Sequence, residues 1–185
     1  MKNYLKHLFS AVILVFFLIL AIGSGGDNNP SSDTSASSEG VNNDAGKPGN
    51  FKNVGEALTT DYFDVTVNEF TLKDKVSTGN QFADLKKEEG IRYLILNITF
   101  KNIDSESRML SDGEILINYN GKDYKFDKSE SVFVEGWGLM MDQINPLTSK
   151  TTKLVYKIPA EIKGLAYYRP GRSNKNDLIS LGNIE

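Results

Sequence analysis

The chain has 185 residues, enough for one domain with extensions, and its net charge of −3 without a Lys- or Arg-rich run argues against a nucleic-acid partner. It has no cysteine, which excludes disulfides, thiolate nucleophiles, zinc–thiolate sites and lipid attachment through a lipobox cysteine. Its one histidine is His7, in the N-terminal segment described next. Histidine-dependent catalysis is therefore excluded for the rest of the chain, and no cofactor is expected.

The N-terminus begins with a basic, apolar segment. Two lysines and no acidic residue accompany the run "LFSAVILVFFLILAI" (residues 8–22). As a helix this run spans roughly 22 Å, which is short against a bilayer core of about 30 Å. Small residues at −3 and −1 favour signal-peptidase cleavage before Ser24. Residues 1–23 are therefore a signal peptide or an uncleaved anchor associated with the membrane through residues 8–22, and both alternatives predict an extracytoplasmic domain, either secreted or anchored.

A polar segment follows at residues 24–50, "SGGDNNPSSDTSASSEGVNNDAGKPGN". Ser, Gly, Asn, Asp and Pro dominate it, so it cannot bury enough apolar surface to offset its ordering entropy. The composition predicts a disordered linker with a root-mean-square span of roughly 30 Å.

Alternation with period two dominates residues 51–185 and predicts strands. In "YFDVTVNEF" the apolar phase shifts after Val67, which predicts a β-bulge near Asn68-Glu69. "IRYLILNITFKN" (residues 91–102) is partly apolar on its second face as well, which is typical of a central strand. "FADLKKEEG" (residues 82–90) is compatible with one helical turn or a charged loop.

The second half of this region continues the pattern. Asn120-Gly121 lies between two strand-like arms and predicts a tight hairpin. "TSKTTKLVYKIP" places Leu154 and Tyr156 on one face, and "LAYYRPG" and "DLISLGNI" read as two short closing strands. The sequence therefore predicts an all-β fold for residues 51–185, an immunoglobulin-like antiparallel β-sandwich of about seven strands.

The order of these features resembles a bacterial family of extracytoplasmic domains of unknown function with an immunoglobulin-like fold. Members follow a signal or lipobox and a low-complexity spacer. The resemblance implies the fold and implies no activity, and the missing lipobox cysteine departs from the lipid-anchored members. It rests on four stretches of this sequence, Val54–Phe70, Glu89–Asp104, Glu114–Phe126 and Ile144–Gly171.

Two groups of residues are candidate sites. Carboxylates within "DSESRMLSDGE" are weak candidates for calcium, although their spacing fits no EF-hand loop and a solvated loop is the simpler interpretation; they are Asp104, Glu106, Asp112 and Glu114. Aromatic, Met and Arg side chains in "VFVEGWGLMMDQINP" and "YYRP" are candidates for partner contact, with core or edge packing as the alternative; they are Trp137, Met140, Met141, Tyr167, Tyr168 and Arg169.

The sequence thus favours an exported, non-enzymatic binding domain at the bacterial cell envelope. Its partner would be an envelope protein, a glycan or a small ligand. A passive structural spacer of the cell surface is the alternative, and a hydrolase that depends on two carboxylates is a third interpretation.

Overall fold

The computed structural model describes residues 49–139 and 141–185. The signal or anchor at residues 1–23, nearly all of the predicted linker and Met140 lie outside the described residues.

Within that range the chain forms eleven strands and no helix. Seven strands have five or more residues, which agrees with the expected number, and four are shorter. The strands are β1 (Phe51–Asn53), β2 (Ala57–Thr59), β3 (Phe63–Lys73), β4 (Ile91–Asn102), β5 (Arg108–Met109), β6 (Glu114–Tyr119), β7 (Lys122–Phe126), β8 (Gln143–Ile144), β9 (Ser149–Pro159), β10 (Gly164–Arg169) and β11 (Leu178–Ile184).

The strands form two main sheets packed as a sandwich. One sheet has the order β1-β11-β10-β6-β7, the other has the order β2-β3-β4-β9, and β5 and β8 form a small ribbon. All pairings are antiparallel except that of β1 with β11. β4 is paired on both sides, so the prediction of a central strand is confirmed.

Alternate side chains of both sheets fill one apolar core. Leu94, Leu96 and Ile98 of β4 are fully buried between the sheets, while the intervening residues of that strand face the other way. Leu154 and Tyr156 of β9, the neighbouring strand in the same sheet, belong to the same core, as the sequence predicted. Because the chain has no cysteine, apolar packing and hydrogen bonds hold the sheets together.

Two local predictions are confirmed. The register of β3 with β4 shifts between Val67 and Glu69, which places the bulge at Asn68. Asn120 and Gly121 form the two-residue turn between β6 and β7, both with positive φ (51° and 73°), as a type I′ hairpin requires.

Two tyrosines close one end of the core. Tyr156 on β9 and Tyr168 on β10 belong to opposite sheets, and their hydroxyls donate hydrogen bonds of 2.8 and 2.7 Å to the backbone carbonyl of Asp112. Both side chains are fully buried. A single carbonyl therefore links the two sheets beside the start of β6.

Candidate functional site

Two connecting segments cover part of the outer face of the four-stranded sheet, the face turned away from the main core. The first joins β3 to β4 and doubles back through reciprocal backbone hydrogen bonds of 2.9 and 3.0 Å between Val76 and Leu85. The second follows β7 and comprises residues 127–139 and 141–142. Together they bury a second apolar cluster whose members are Val76, Tyr93, Val132, Trp137 and Val155.

The second segment is fixed along the open edge of β9. The N–H of Gly138 donates to the carbonyl of Lys153 (2.8 Å), and the N–H of Lys153 donates to the carbonyl of Gly136 (2.9 Å). Gly136 has a φ of +81°, a conformation that disfavours other residues. These bonds direct the Trp137 ring onto the sheet and cover an edge that could otherwise pair with another chain.

A groove of about 740 Å³ remains on this face between the covering segments and the exposed part of the sheet. The segment that leaves β3, residues 73–77, forms one wall, and Trp137 with Lys153 forms the other. The floor consists of outward-facing side chains of β3 and β4, namely Glu69, Thr71, Ile95 and Asn97.

A chain of polar side chains runs from the floor across three strands. The Asn97 amide donates to Glu69 (3.3 Å), and Asn68 donates to both Asn97 (3.3 Å) and Thr99 (3.0 Å). The hydroxyls of Thr99 and Thr151 are 2.8 Å apart. The floor therefore offers amides, hydroxyls and a carboxylate that their neighbours already orient.

Amines surround the groove in a chain that is acidic overall. Lys153 lies over the Trp137 ring, while Lys73 and Lys75 form no ion pair with any described residue. Asp74 on the same wall forms an ion pair with Lys87 at 3.2 Å. These lysine ammonium groups, which form no ion pair among the described residues, can donate hydrogen bonds to an anionic or strongly polar group of a ligand.

A separate apolar surface lies on the tips of the two covering segments. Phe82, Phe133 and Met141 are 90%, 75% and 84% exposed, and Phe133 lines shallow depressions shared with each of the other two. The tip that carries Phe82 is held by Asp84, which accepts a hydrogen bond from the Thr78 backbone N–H (2.7 Å). This bond is the main cause of the lowered pKa of Asp84.

In the predicted contact segment "VFVEGWGLMMDQINP", some side chains are therefore buried and others are exposed. Trp137 is only 8% exposed and packs in the second cluster, on the outer face of the four-stranded sheet. Met141 is exposed, and Met140 lies outside the described residues. Sequence reasoning missed Phe82, because a single aromatic residue in a charged loop carries no periodic signal.

In the other predicted contact segment, "YYRP", Tyr167 and Arg169 are partly exposed and Tyr168 is buried. Tyr168 is fully buried and cannot meet a partner, because its ring fills the main core. Burial also raises the pKa of Tyr168 far above its usual value. Tyr167 faces the opposite side of β10 and packs edge-to-face against Phe51, and Arg169 forms an ion pair with Glu114.

The four calcium candidates do not converge. The Arg108 guanidinium binds both Asp104 and Glu106, and its hydrogen bond lowers the pKa of Asp104. Asp112 accepts a hydrogen bond from Ser129. Glu114 forms ion pairs with Arg169 and, at 3.5 Å, with Lys125. No group of three metal-ligating carboxylates or imidazoles occurs among the residues that the structure describes, so the calcium prediction has no geometric support.

Comparisons with known proteins agree with this architecture. The family model described as "Domain of unknown function (DUF4352)" matches residues 52–175. The chain belongs to this family. No curated protein matches it. The described part of the chain contains no helix that could span a bilayer.

Two solved structures are similar to this DUF4352 domain. One is a conserved hypothetical protein from Bacillus anthracis, with 25% identity and a TM-score of 0.51 over 69% of this chain and 94% of that chain. The other is an uncharacterized β-sandwich protein from Clostridium difficile, with 16% identity and a TM-score of 0.51 over 75% of this chain and 97% of that chain. The expected β-sandwich of unknown function is confirmed.

Proposed function

We propose that this chain is an exported, non-enzymatic binding domain of the bacterial cell envelope and that its ligand binds in the groove on the outer face of the four-stranded sheet. Export is supported by the apolar run at residues 8–22 and the polar segment at residues 24–50. A non-enzymatic role is supported by the absence of Cys and of any His after His7.

The groove is the observation that carries the proposal. It combines an aromatic wall, oriented amide and hydroxyl groups on the floor, and lysine ammonium groups that form no ion pair with any described residue. Binding sites are typically concave and apolar in part, with a few polar groups that fix the orientation of the ligand. A glycan or a polar peptide satisfies this combination better than a purely apolar molecule, because each oriented polar group must regain a hydrogen bond when it loses water.

The chain provides its own reporter of binding. Trp137 is the only tryptophan and forms a wall of the groove, so occupancy should change its fluorescence. The probe we would use is a set of soluble peptidoglycan fragments, titrated into the purified protein. We expect a saturable change in emission, weakened at least tenfold by Asn97→Ala.

The matched control is Lys101→Ala, which removes an exposed side chain from the same face of β4 outside the groove. It should leave the titration unchanged. Calorimetric titration checks that the signal reports binding. If neither these fragments nor peptides and soluble envelope glycans of other classes bind, the domain is the passive spacer.

One further feature of the groove calls for a direct enzymatic control. Glu69 and Asp74 both line it, and two carboxylates are the minimum that glycoside hydrolysis requires. In this structure the Glu69 carboxylate accepts a hydrogen bond from the Asn97 side-chain amide, and Asp74 forms an ion pair with Lys87. Release of products from the fragments by the wild type but not by Glu69→Gln or Asp74→Asn would replace the binding proposal with a hydrolase.

A further inference from the structure

β2 covers only half of the edge of β3. β2 pairs with β3 from Asp64 to Thr66, and the Gly55 N–H donates to the carbonyl of Val67 just before the bulge. Beyond the bulge, no strand among residues 49–139 and 141–185 pairs with residues 69–73 on the side away from β4. An edge of five residues is therefore open.

The register identifies which backbone groups this edge presents. The Asn102 N–H donates to Thr148 on the β9 side, so even-numbered residues of β4 face β9 and odd-numbered residues face β3. After the bulge, Thr71 and its odd-numbered neighbours on β3 pair with odd-numbered residues of β4. The N–H and C=O groups of Phe70 and Leu72 consequently point away from the sheet.

Side-chain burial changes at the same place. On the inner face of β3, Val65 and Val67 are 1% and 0% exposed where β2 and its preceding turn lie beside the strand. Phe70 and Leu72, on the same face beyond the bulge, pack against the core but remain partly exposed. Another strand beside residues 69–73 would pair the outward-pointing backbone groups of Phe70 and Leu72 and would bury the side chains of these two residues.

The open edge is complementary to itself. If two copies pair antiparallel about a two-fold axis at Thr71, Phe70 of one copy lies opposite Leu72 of the other on the inner face. On the outer face, Glu69 of each copy lies opposite Lys73 of the other. Glu69 and Lys73 are then non-hydrogen-bonded pairs, in which cross-strand side chains approach closely and opposite charges stabilise the ribbon.

We propose that the domain self-associates as a two-fold symmetric dimer through residues 69–73 of β3. The two four-stranded sheets become one sheet of eight strands. A two-fold axis perpendicular to that sheet places both outer faces on the same side, so the two grooves open next to each other. If the groove is the binding site proposed above, the dimer presents two sites to one extended ligand; Lys73 is then paired with Glu69 of the other copy, and Lys75 and Lys153 are the groove lysines left for the ligand. The dimer itself does not depend on that function.

The test is a pair of charge reversals, measured without ligand by sedimentation equilibrium of the full chain in non-ionic detergent. The wild type should dimerise reversibly between about 1 µM and about 1 mM. Glu69→Lys and Lys73→Glu should each weaken the dimer about tenfold or more, because each creates two facing pairs of like charge. An equimolar mixture of these two variants should restore association, since every facing pair then has opposite charge.

Matched controls separate this effect from a change in net charge. Lys101→Glu and Glu161→Lys make the same charge changes at exposed positions away from the edge and should leave association unaltered. Circular dichroism verifies that each variant is folded.

Amide exchange gives a second, independent measurement. The amides of Phe70 and Leu72 should become protected as concentration rises, whereas that of Thr71 should be protected throughout by its bond to β4. A wild type that remains monomeric at about 1 mM overturns the proposal. So does a dimer that both reversals leave unchanged, or one whose formation protects neither Phe70 nor Leu72.

Discussion

The side-chain nitrogen of Lys153 lies 4.8 Å from the centre of the Trp137 ring, and the same two residues are neighbours in a parallel β-bridge. Backbone and side chain therefore fix the ring together, and a cation–π contact adds to apolar packing. Because Lys153 belongs to β9, the position of this groove wall is set by the sheet itself. The covering segment thus contributes to the fold as well as to the groove.

Two aromatic residues of that segment should differ sharply in their effect on stability. Trp137→Ala should lower the free energy of unfolding by about 3 kcal/mol, because it empties the centre of the second cluster. Phe133→Ala should change it by less than about 0.5 kcal/mol, because that ring is 75% exposed. Urea unfolding followed by far-UV circular dichroism measures both, and similar costs for the two would contradict the placement of Trp137.

The main sandwich could be predicted from sequence because its signals are local. Alternation located β3, β4 and β9, the Asn120-Gly121 pair located the hairpin, and the phase shift located the bulge at Asn68. Each feature depends on neighbours within a few residues, so a single sequence carries it.

The groove could not be predicted, because its walls meet only in three dimensions. Val76 and Trp137 belong to different connections, neither of which is periodic, yet they share one cluster. The composition of the segment around Trp137 does not determine which of its side chains face water. Phe133 and Trp137, four residues apart, have opposite environments because the backbone turns between them: the Trp137 N–H donates to the Val134 carbonyl (3.0 Å), and Gly136 has a positive φ.

Asn102 should be essential for the loops at one end of the sandwich. Its fully buried amide donates 2.8 Å hydrogen bonds to the carbonyls of Glu106 and Ile144, and its oxygen accepts the Asp104 N–H at 2.9 Å. Asn102→Leu should cost about 3 kcal/mol, because three backbone groups lose a partner. Asn183→Leu, at an exposed position, serves as the control and should be close to neutral in the same denaturation experiment.

The hydroxyls of Tyr156 and Tyr168 should be coupled energetically, because they share one acceptor. Tyr156→Phe or Tyr168→Phe alone should cost about 1 kcal/mol, since the Asp112 carbonyl keeps one donor. The double variant leaves that carbonyl without either donor and should exceed the sum of the single costs by about 1 kcal/mol. A double-mutant cycle on unfolding free energies measures the excess, and strict additivity would show that the shared carbonyl does not link the two sheets.

The same tyrosines should make the domain sensitive to alkali. Burial raises the pKa of Tyr156 and Tyr168 well above the usual value of about 10, because a phenolate would lose its hydration in the core. In the unfolded chain both ionise near pH 10. Their stabilising contribution is therefore complete below about pH 10 and is lost as pH rises toward the folded-state pKa.

Each tyrosine that stays protonated in the folded state lowers the unfolding free energy by about 1.4 kcal/mol per pH unit above about pH 10. Urea titrations from about pH 8 to about pH 11.5, with tyrosinate absorbance recorded alongside, measure this slope. The Tyr156→Phe/Tyr168→Phe variant should be less stable near neutral pH but should lose stability more slowly in alkali, since it lacks both ionising groups. An unchanged slope in this variant would mean that other groups cause the alkaline unfolding.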